Sequence, residues 1–201
     1  NRSTNIFNSI SIAAIIILIY SPNQIYDPGF QLSFSAVLST AIIYPYIKSW
    51  VEQLNLKWKW LEKIFLFMGV SFSAQVGTIP FTLVYFAKLS IVSIIANLFV
   101  IPISGIITAI AFITIFLGSL SYSIAYYFAY ANDLLTIIMM NFIRFVGTLD
   151  FSFLWIRNYS FYDSIVFYLV LGFFLFVINQ IRHITLRIAI PVLSFAAIIF
   201  F

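Results

Sequence analysis

The side chains of this chain that could do chemistry are mainly uncharged polar groups set within apolar segments. Two sets stand out, because each falls on one face of a helix that turns by about 100° per residue. The first set is Ser71, Gln75, Thr78 and Thr82, and the second is Ser93, Asn97, Ser104 and Thr108. Such groups are unfavourable in hydrocarbon without a partner, so both stripes must face protein or water. They favour either hydrogen bonds between helices or the lining of a polar pathway, and both interpretations stay open.

One carboxylate, Asp133, lies near the middle of an apolar segment. Acids within a membrane are functional candidates by default, because a charge in hydrocarbon is unfavourable. Four neighbours share its helix face: Tyr126, Tyr130, Ile137 and Asn141. We therefore expect this face to lie away from lipid, with Asp133 serving either a pathway or an ordinary hydrogen bond between helices.

Two prolines, Pro80 and Pro102, lie in the same segments as the polar stripes. A proline removes one backbone donor and frees a carbonyl within a helix. Broken helices that carry polar stripes usually line cavities or pathways in membrane proteins. We therefore expect the fourth span to be broken at Pro102.

Conventional enzyme chemistry has little support in this sequence. The single histidine, His183, lies between Arg182 and Arg187, where a solvated role is expected. Six acids without a cluster and the absence of cysteine leave no ordinary metal-ligand set. Nucleotide-binding and hydrolase motifs are also missing. We expect no catalytic activity and no cofactor in this segment, so transport or a structural role remains.

The composition determines which elements must position these groups. Hydrophobic residues make up 63% of the 201 residues and charged residues 8%, with a mean hydropathy of +1.09. A soluble domain carries about a quarter charged residues, so the sequence predicts an all-α, polytopic transmembrane helical bundle. We expect one transmembrane domain over 1–201, as a piece of a longer protein. The apolar runs predict about seven spans: 6–20, 30–47, 64–86, 91–117, 124–143, 164–180 and 188–201.

Basic residues predict how the bundle is oriented. The segment 48–63 holds four of the ten lysines and arginines together with Trp50, Trp58 and Trp60. This pattern is typical of an amphipathic helix or loop at a headgroup surface, although nucleic-acid contact is an alternative. Because positive charge stays in the cytoplasm, 48–63 and the basic turn 181–187 are predicted inside.

The loop before the second span predicts a sharp turn. Pro28 disfavours helix at Asp27, and Gly29 permits a tight entry into the span. We expect Asp27 to cap the helix and the turn to direct Gln31 toward the bundle interior. Ser35 follows Gln31 at four-residue spacing and belongs to the same side. A second short turn is expected at 87–90, between the third and fourth spans.

Three motifs resemble the ComEC competence family, an inner-membrane DNA-uptake channel. They are DPGFQLSFSA at 27–36, SFSAQVGTIP at 71–80 followed by Tyr85-Phe86, and ANLFVIP at 96–102, with Arg2 and Asn5 fitting the approach to the first motif. The motifs occur in the family's order and cover roughly the first hundred residues. Beyond Leu117 the similarity is one of hydropathy only.

The resemblance implies a channel domain that passes single-stranded DNA across the bacterial cytoplasmic membrane during natural transformation. Single-stranded DNA, the lipid bilayer and other competence proteins would be its partners, and any nuclease activity would lie in a domain outside this segment. A small-molecule permease and a purely structural membrane domain are the alternatives. The expected pathway-lining residues are Gln31, Ser35, Ser71, Gln75, Thr78, Thr82, Asn97, Pro102, Ser104 and Asp133.

Overall fold

A computed structural model describes residues 6–149 and 152–180 of the chain. Within these ranges the protein is almost entirely helical, which confirms the all-α prediction. The α-helices are α1 (Ile6–Tyr20), α2 (Pro28–Gln53), α3 (Lys59–Phe86), α4 (Ser93–Gly118), α5 (Tyr122–Gly147) and α6 (Phe161–Gln180). A 3₁₀ helix (Pro22–Tyr26) joins α1 to α2, and two short strands are β1 (Lys88–Ser90) and β2 (Phe153–Trp155). The chain divides into two compact units, Asn1–Arg157 and Asn158–Phe201.

Four of the described helices are long and apolar enough to cross a membrane: α2, α3, α4 and the segment Phe161–Ile178 of α6. Helix α1 is apolar but has only 15 residues. Helix α5 is not in this set, because Asp133, Arg144 and its asparagines lower its hydropathy. The prediction of seven spans is therefore not supported by the six described helices, and the segment 188–201 lies outside the described residues.

Helices α2 and α3 form a closely packed antiparallel hairpin. Three contacts give its register: Ile47 with Gly69, Ser39 with Gly77, and Gln31 with Tyr85. A Cβ atom placed on Gly77 would lie 2.5 Å from the carbonyl oxygen of Ser35. Ser39 Oγ donates a hydrogen bond of 2.7 Å to the carbonyl of Ser73 on the facing helix. Small residues thus allow the two backbones to approach, as is common between membrane helices.

Helices α4 and α5 form a second antiparallel pair, in which the rings of Phe99 and Phe142 lie 4.5 Å apart. Helix α4 continues through Pro102, so the prediction of a broken fourth span is wrong. Pro45 and Pro80 also lie inside continuous helices. A proline removes only one backbone hydrogen bond, and the flanking turns can keep the helix intact when their own bonds remain.

Strands β1 and β2 pair antiparallel, which the expected turn at 87–90 did not predict. Ala87 adopts a left-handed conformation with φ of 52° and reverses the chain at the end of α3. Two flanking bonds extend the ladder: Ile156 N donates to the Ala87 carbonyl, and Ile91 N donates to the Ser152 carbonyl, each at 3.1 Å. The two connections therefore form one ribbon, defined here as residues 87–91 and 152–156.

The basic, tryptophan-rich segment 48–63 is not one amphipathic helix. Helix α2 extends to Gln53 and α3 begins at Lys59, which leaves a short connection at 54–58. Both helices continue through the polar residues, so hydropathy placed the end of α2 too early and the start of α3 too late. This segment lies at the opposite end of the α2–α3 hairpin from the ribbon.

The second unit begins α6 with a reciprocal cap. Ser160 N donates to Asp163 Oδ2 at 2.7 Å, and Asp163 N lies 3.4 Å from Ser160 Oγ. This arrangement is the aspartate version of a capping box and satisfies backbone donors at the helix start.

Candidate functional site

The turn before α2 is capped by Asp27, as the sequence predicted. Asp27 Oδ1 accepts hydrogen bonds from Gly29 N at 2.8 Å and Phe30 N at 3.1 Å, so Asp27 caps α2. Gln31 Nε2 then donates to the Ile25 carbonyl at 2.8 Å. The Gln31 side chain therefore turns back over the 3₁₀ helix.

The other amide atom of Gln31 faces the neighbouring helix. Tyr85 Oη, near the end of α3, donates to Gln31 Oε1 at 2.7 Å. The carboxamide thereby joins the 3₁₀ turn, α2 and α3 through two side-chain bonds. A polar side chain near a helix end is thus paired within the protein, which satisfies it without contact with lipid.

Gln75 forms a second polar junction, farther along α3. Its Nε2 donates to the Ser90 carbonyl in β1 at 2.6 Å. Its Oε1 accepts a hydrogen bond of 2.7 Å from Ser93 Oγ, at the first residue of α4. One glutamine therefore connects three elements: α3, the ribbon and α4.

These bonds fix the direction of the ribbon. From Gln75 to Ala87, α3 rises about 18 Å at about 1.5 Å per residue. The strand Lys88–Ser90 covers about 10 Å, so Ser90 can reach Gln75 only if β1 runs back along α3. The ribbon consequently lies beside the last three turns of α3 and does not project away from the helices. It brings non-helical backbone alongside an apolar span.

Several predicted residues use their hydroxyl groups within their own helices. Ser35 Oγ donates to the Leu32 carbonyl at 3.0 Å, Thr78 Oγ1 to the Gln75 carbonyl at 3.1 Å, and Ser104 Oγ to the Ile101 carbonyl at 2.9 Å. Such local bonds satisfy the hydroxyl hydrogen and leave the oxygen able to accept from a neighbour or from water. These three residues therefore suit an apolar span without requiring a polar partner.

The remaining predicted residues have different environments. Thr82 and Asn97 are half-buried, whereas Pro102 is exposed on α4. Ser71 is buried, and within the described part of the chain its Oγ has no hydrogen-bond partner. Ser71 lies one turn before Gln75 on the same face of α3, so an unsatisfied buried hydroxyl adjoins the Gln75 junction.

Asp133 does not join these junctions. It is exposed on α5 and, within 6–149 and 152–180, takes part in no hydrogen bond or ion pair. Tyr126 and Tyr130 on its face are each 58% exposed. Helix α5 packs against α4 through another face, which includes Phe142. The described residues therefore leave the predicted polar stripe of α5 uncovered.

Sequence reasoning missed the groups on the other face of α3. Ser73 is fully buried and donates to the Gly69 carbonyl at 2.7 Å, while its own carbonyl accepts from Ser39. The sequence does contain the pattern that indicates close helix packing, which is small residues at four-residue intervals: Gly69, Ser73 and Gly77. In the described residues, no group of three or more His, Cys, Asp or Glu side chains could hold a metal ion.

Long apolar helices joined by polar side-chain junctions are typical of a helical membrane protein. Comparison with known proteins gives a narrower class. The chain belongs to the Competence protein family, whose match covers residues 1–180, and this confirms the resemblance seen in the motifs.

A curated relative supports the same assignment. ComE operon protein 3 of Bacillus subtilis (strain 168) is 31% identical to the chain over 98 residues. The aligned region covers 47% of this chain and only 11% of the length of that protein. No solved structure matches the chain significantly.

Proposed function

We propose that this chain is a membrane channel domain that passes single-stranded DNA across the cytoplasmic membrane during natural transformation. Membership of the Competence protein family and similarity to a ComE operon protein support this role. Among the structural features, the junction of Gln75 with Ser90 and Ser93 carries the proposal. Non-helical backbone at membrane depth is tolerated where it is buried in protein or lines a water-filled cavity.

The chemistry of the α3 stripe suits transport of a polyanion. Ser71, Gln75, Thr78 and Thr82 carry hydrogen-bonding groups but no positive charge. Lysines or arginines along a path would hold phosphates tightly, because phosphate neutralisation dominates nucleic-acid affinity. Conduction instead requires contacts weak enough to release the passing group. A neutral polar path meets that requirement.

The distribution of charge gives the orientation that we propose for this multi-pass domain. Lys57, Lys59 and Lys63 cluster at the end of the hairpin where α2 ends and α3 begins. Positive charge near short loops tends to be retained in the cytoplasm, which supports an orientation with this end inside. The ribbon, at the other end of α3, then faces the side from which DNA arrives.

A purely structural role is the second candidate, and one observation favours it. Ser39 and Ser73 are buried between α2 and α3, where the Ser39 hydroxyl joins the two helices through the Ser73 carbonyl and the Ser73 hydroxyl is satisfied within α3 by the Gly69 carbonyl. These groups stabilise the hairpin without lining any path. The structural role therefore applies to this face of α3, while the face with Gln75 meets the ribbon and α4.

DNA internalisation in cells tests the proposed function. Cells that lack the protein should bind fluorescent DNA at their surface but accumulate no nuclease-resistant DNA inside. Gln75→Leu should reduce internalisation, because it removes both bonds of the junction, whereas Val70→Leu on the exposed face should not. Membrane levels of each variant provide the control. Normal internalisation in cells without the protein would overturn the proposal.

A further inference from the structure

The two faces of the ribbon differ chemically. In the antiparallel register Lys88 pairs with Trp155, Leu89 with Leu154, and Ser90 with Phe153. Because side chains alternate along a strand, the two leucines share one face. The opposite face carries Lys88, Ser90, Phe153 and Trp155. We call the three residues Lys88, Phe153 and Trp155 the ribbon platform.

The ribbon platform holds a cation against two aromatic rings. Lys88 Nζ lies 5.3 Å from the ring centroid of Phe153 and 5.7 Å from that of Trp155, within the range of cation–π attraction. Trp155 is 67% exposed, so much of its indole ring remains available to a ligand. Two residues along a strand are about 6.7 Å apart, roughly twice the 3.4 Å stacking distance of bases. The two aromatic side chains therefore project from the same face of β2 at about that spacing, and Lys88 lies beside both rings.

Among the described residues 87–91 and 152–157, the charged side chains are basic. Lys88 takes part in no ion pair within the described residues, and the exposed Arg157 follows Trp155 by two positions. Asp27 lies at the start of α2, at the same end of the α2–α3 hairpin as the ribbon. Its carboxylate accepts hydrogen bonds from the first turn of α2. A phosphate would thus meet cations that are not already neutralised by a carboxylate in the described chain.

The ribbon platform also has a fixed position beside the α3 stripe. The bond from Gln75 to the Ser90 carbonyl holds β1 along α3, and the flanking bonds at Ala87 and Ser152 hold β2 to β1. A ligand bound at the platform would therefore lie next to the polar junction and would not be tethered by a loose loop.

We propose that the ribbon platform binds single-stranded nucleic acid, with a base stacked on Trp155 and a phosphate bound by Lys88. This inference rests on the proposed function and names the first contact that the strand makes. Aromatic stacking accepts any base, because every base has a π face, and so suits a protein that must admit any sequence. The leucine face is the one suited to hydrocarbon, which leaves the platform face for a polar ligand.

Tryptophan fluorescence of the full chain in lipid nanodiscs tests the platform directly. In the variant with Trp50, Trp58 and Trp60 replaced by Phe, Trp155 is the only tryptophan. Titration with a 15-nucleotide oligothymidylate should quench it saturably. A variant that retains only Trp58, which is 55% exposed at the other end of the hairpin, should show no saturable quenching.

Affinity measurements on the same preparations separate the two parts of the platform. Trp155→Ala should weaken oligothymidylate binding about 5- to 150-fold, and Trp155→Phe should restore most of the affinity. Lys88→Gln should lower the slope of log affinity against log salt by about 0.7, because one phosphate contact is lost. These effects require stacking and charge at this position and would not follow from a general loss of folding.

Three results would overturn the inference. Quenching of Trp155 by brominated lipid but not by oligothymidylate would make the ribbon a membrane anchor. Oligothymidylate binding that is unchanged in Trp155→Ala and Lys88→Gln would place the contact elsewhere, with the proposed function intact. Absence of binding by the unaltered chain, together with normal DNA internalisation in cells without the protein, would remove the proposed function as well.

Discussion

Gly77 offers the most direct test of the α2–α3 packing that positions the polar junctions. A Cβ atom at Gly77 would lie 2.5 Å from the Ser35 carbonyl oxygen and 2.9 Å from Ser39 Oγ. Ser39 Cβ is nearer still, and because neither it nor the Ser35 carbonyl can rotate away, Gly77→Ala must push the two helices apart. Overpacking of this kind typically destabilises by about 1–3 kcal/mol. Separation would also weaken the Ser39–Ser73 bond, whose expected contribution is about 0.6 kcal/mol.

The matched control is Gly105→Ala in α4, where an added Cβ would meet nothing within 4 Å. Both changes place alanine in a helix, which by itself stabilises by about 1 kcal/mol relative to glycine. The difference between the two variants therefore isolates overpacking, and we expect Gly77→Ala to be less stable by about 1–3 kcal/mol. Reversible unfolding in mixed detergent–SDS micelles measures the free energy of unfolding of both variants. Equal stability of the two variants would refute the close packing of α2 and α3.

Four further predictions follow from the hydrogen bonds and from the sequence. Asp27→Ala should destabilise α2 by about 0.5–2 kcal/mol, while Asp27→Asn should retain most of the cap; helix content against temperature measures this. A double-mutant cycle of Gln31→Leu and Tyr85→Phe should give a coupling of about 0.5–1.5 kcal/mol in SDS unfolding, and additive effects would exclude the bond. Cysteine at Gln75, introduced into this cysteine-free chain, should react with small water-soluble thiol reagents, and complete protection would count against a hydrated path. Asp133→Asn should reach the membrane at normal levels but reduce DNA uptake, and normal transformation frequency would leave the acid a structural role.

Local patterns predicted those features that depend on neighbouring residues. The Asp27 cap follows from an acid before proline and glycine at the start of an apolar run, and the structure has that cap. The sequence indicated that Gln31 needs a polar partner, but it did not identify Tyr85 of α3 as that partner. Hydropathy correctly identified the helical class and most of the helices, but it placed the end of α2 too early and the start of α3 too late.

The features that sequence reasoning missed depend on contacts between distant segments. Lys88–Ser90 reads as a turn by itself, and its strand partner Phe153–Trp155 lies beyond two intervening helices. No periodicity in either segment could reveal this pairing. Pro102 was misjudged for a related reason, since the packing of α4 against α5 supports a helix that the isolated sequence would have broken.

The polar groups on α3 can be interpreted either as hydrogen bonds between helices or as the lining of a polar pathway, and these two interpretations apply to two faces of the same helix. Gly69, Ser73 and Gly77 face α2, and their close contacts leave no room for a ligand. Gln75, about a third of a turn or more from this face, binds the ribbon and α4. Because both amide atoms of Gln75 are already paired, a strand that passes this level must exchange at least one of these bonds for a bond of its own or for water. Such an exchange of neutral hydrogen bonds has a small net free energy, about 0.5–1.5 kcal/mol per bond, which is compatible with repeated passage. Under the proposed function, the Gln75 junction would hold the ribbon in place in the absence of DNA and would exchange its bonds when a strand passes.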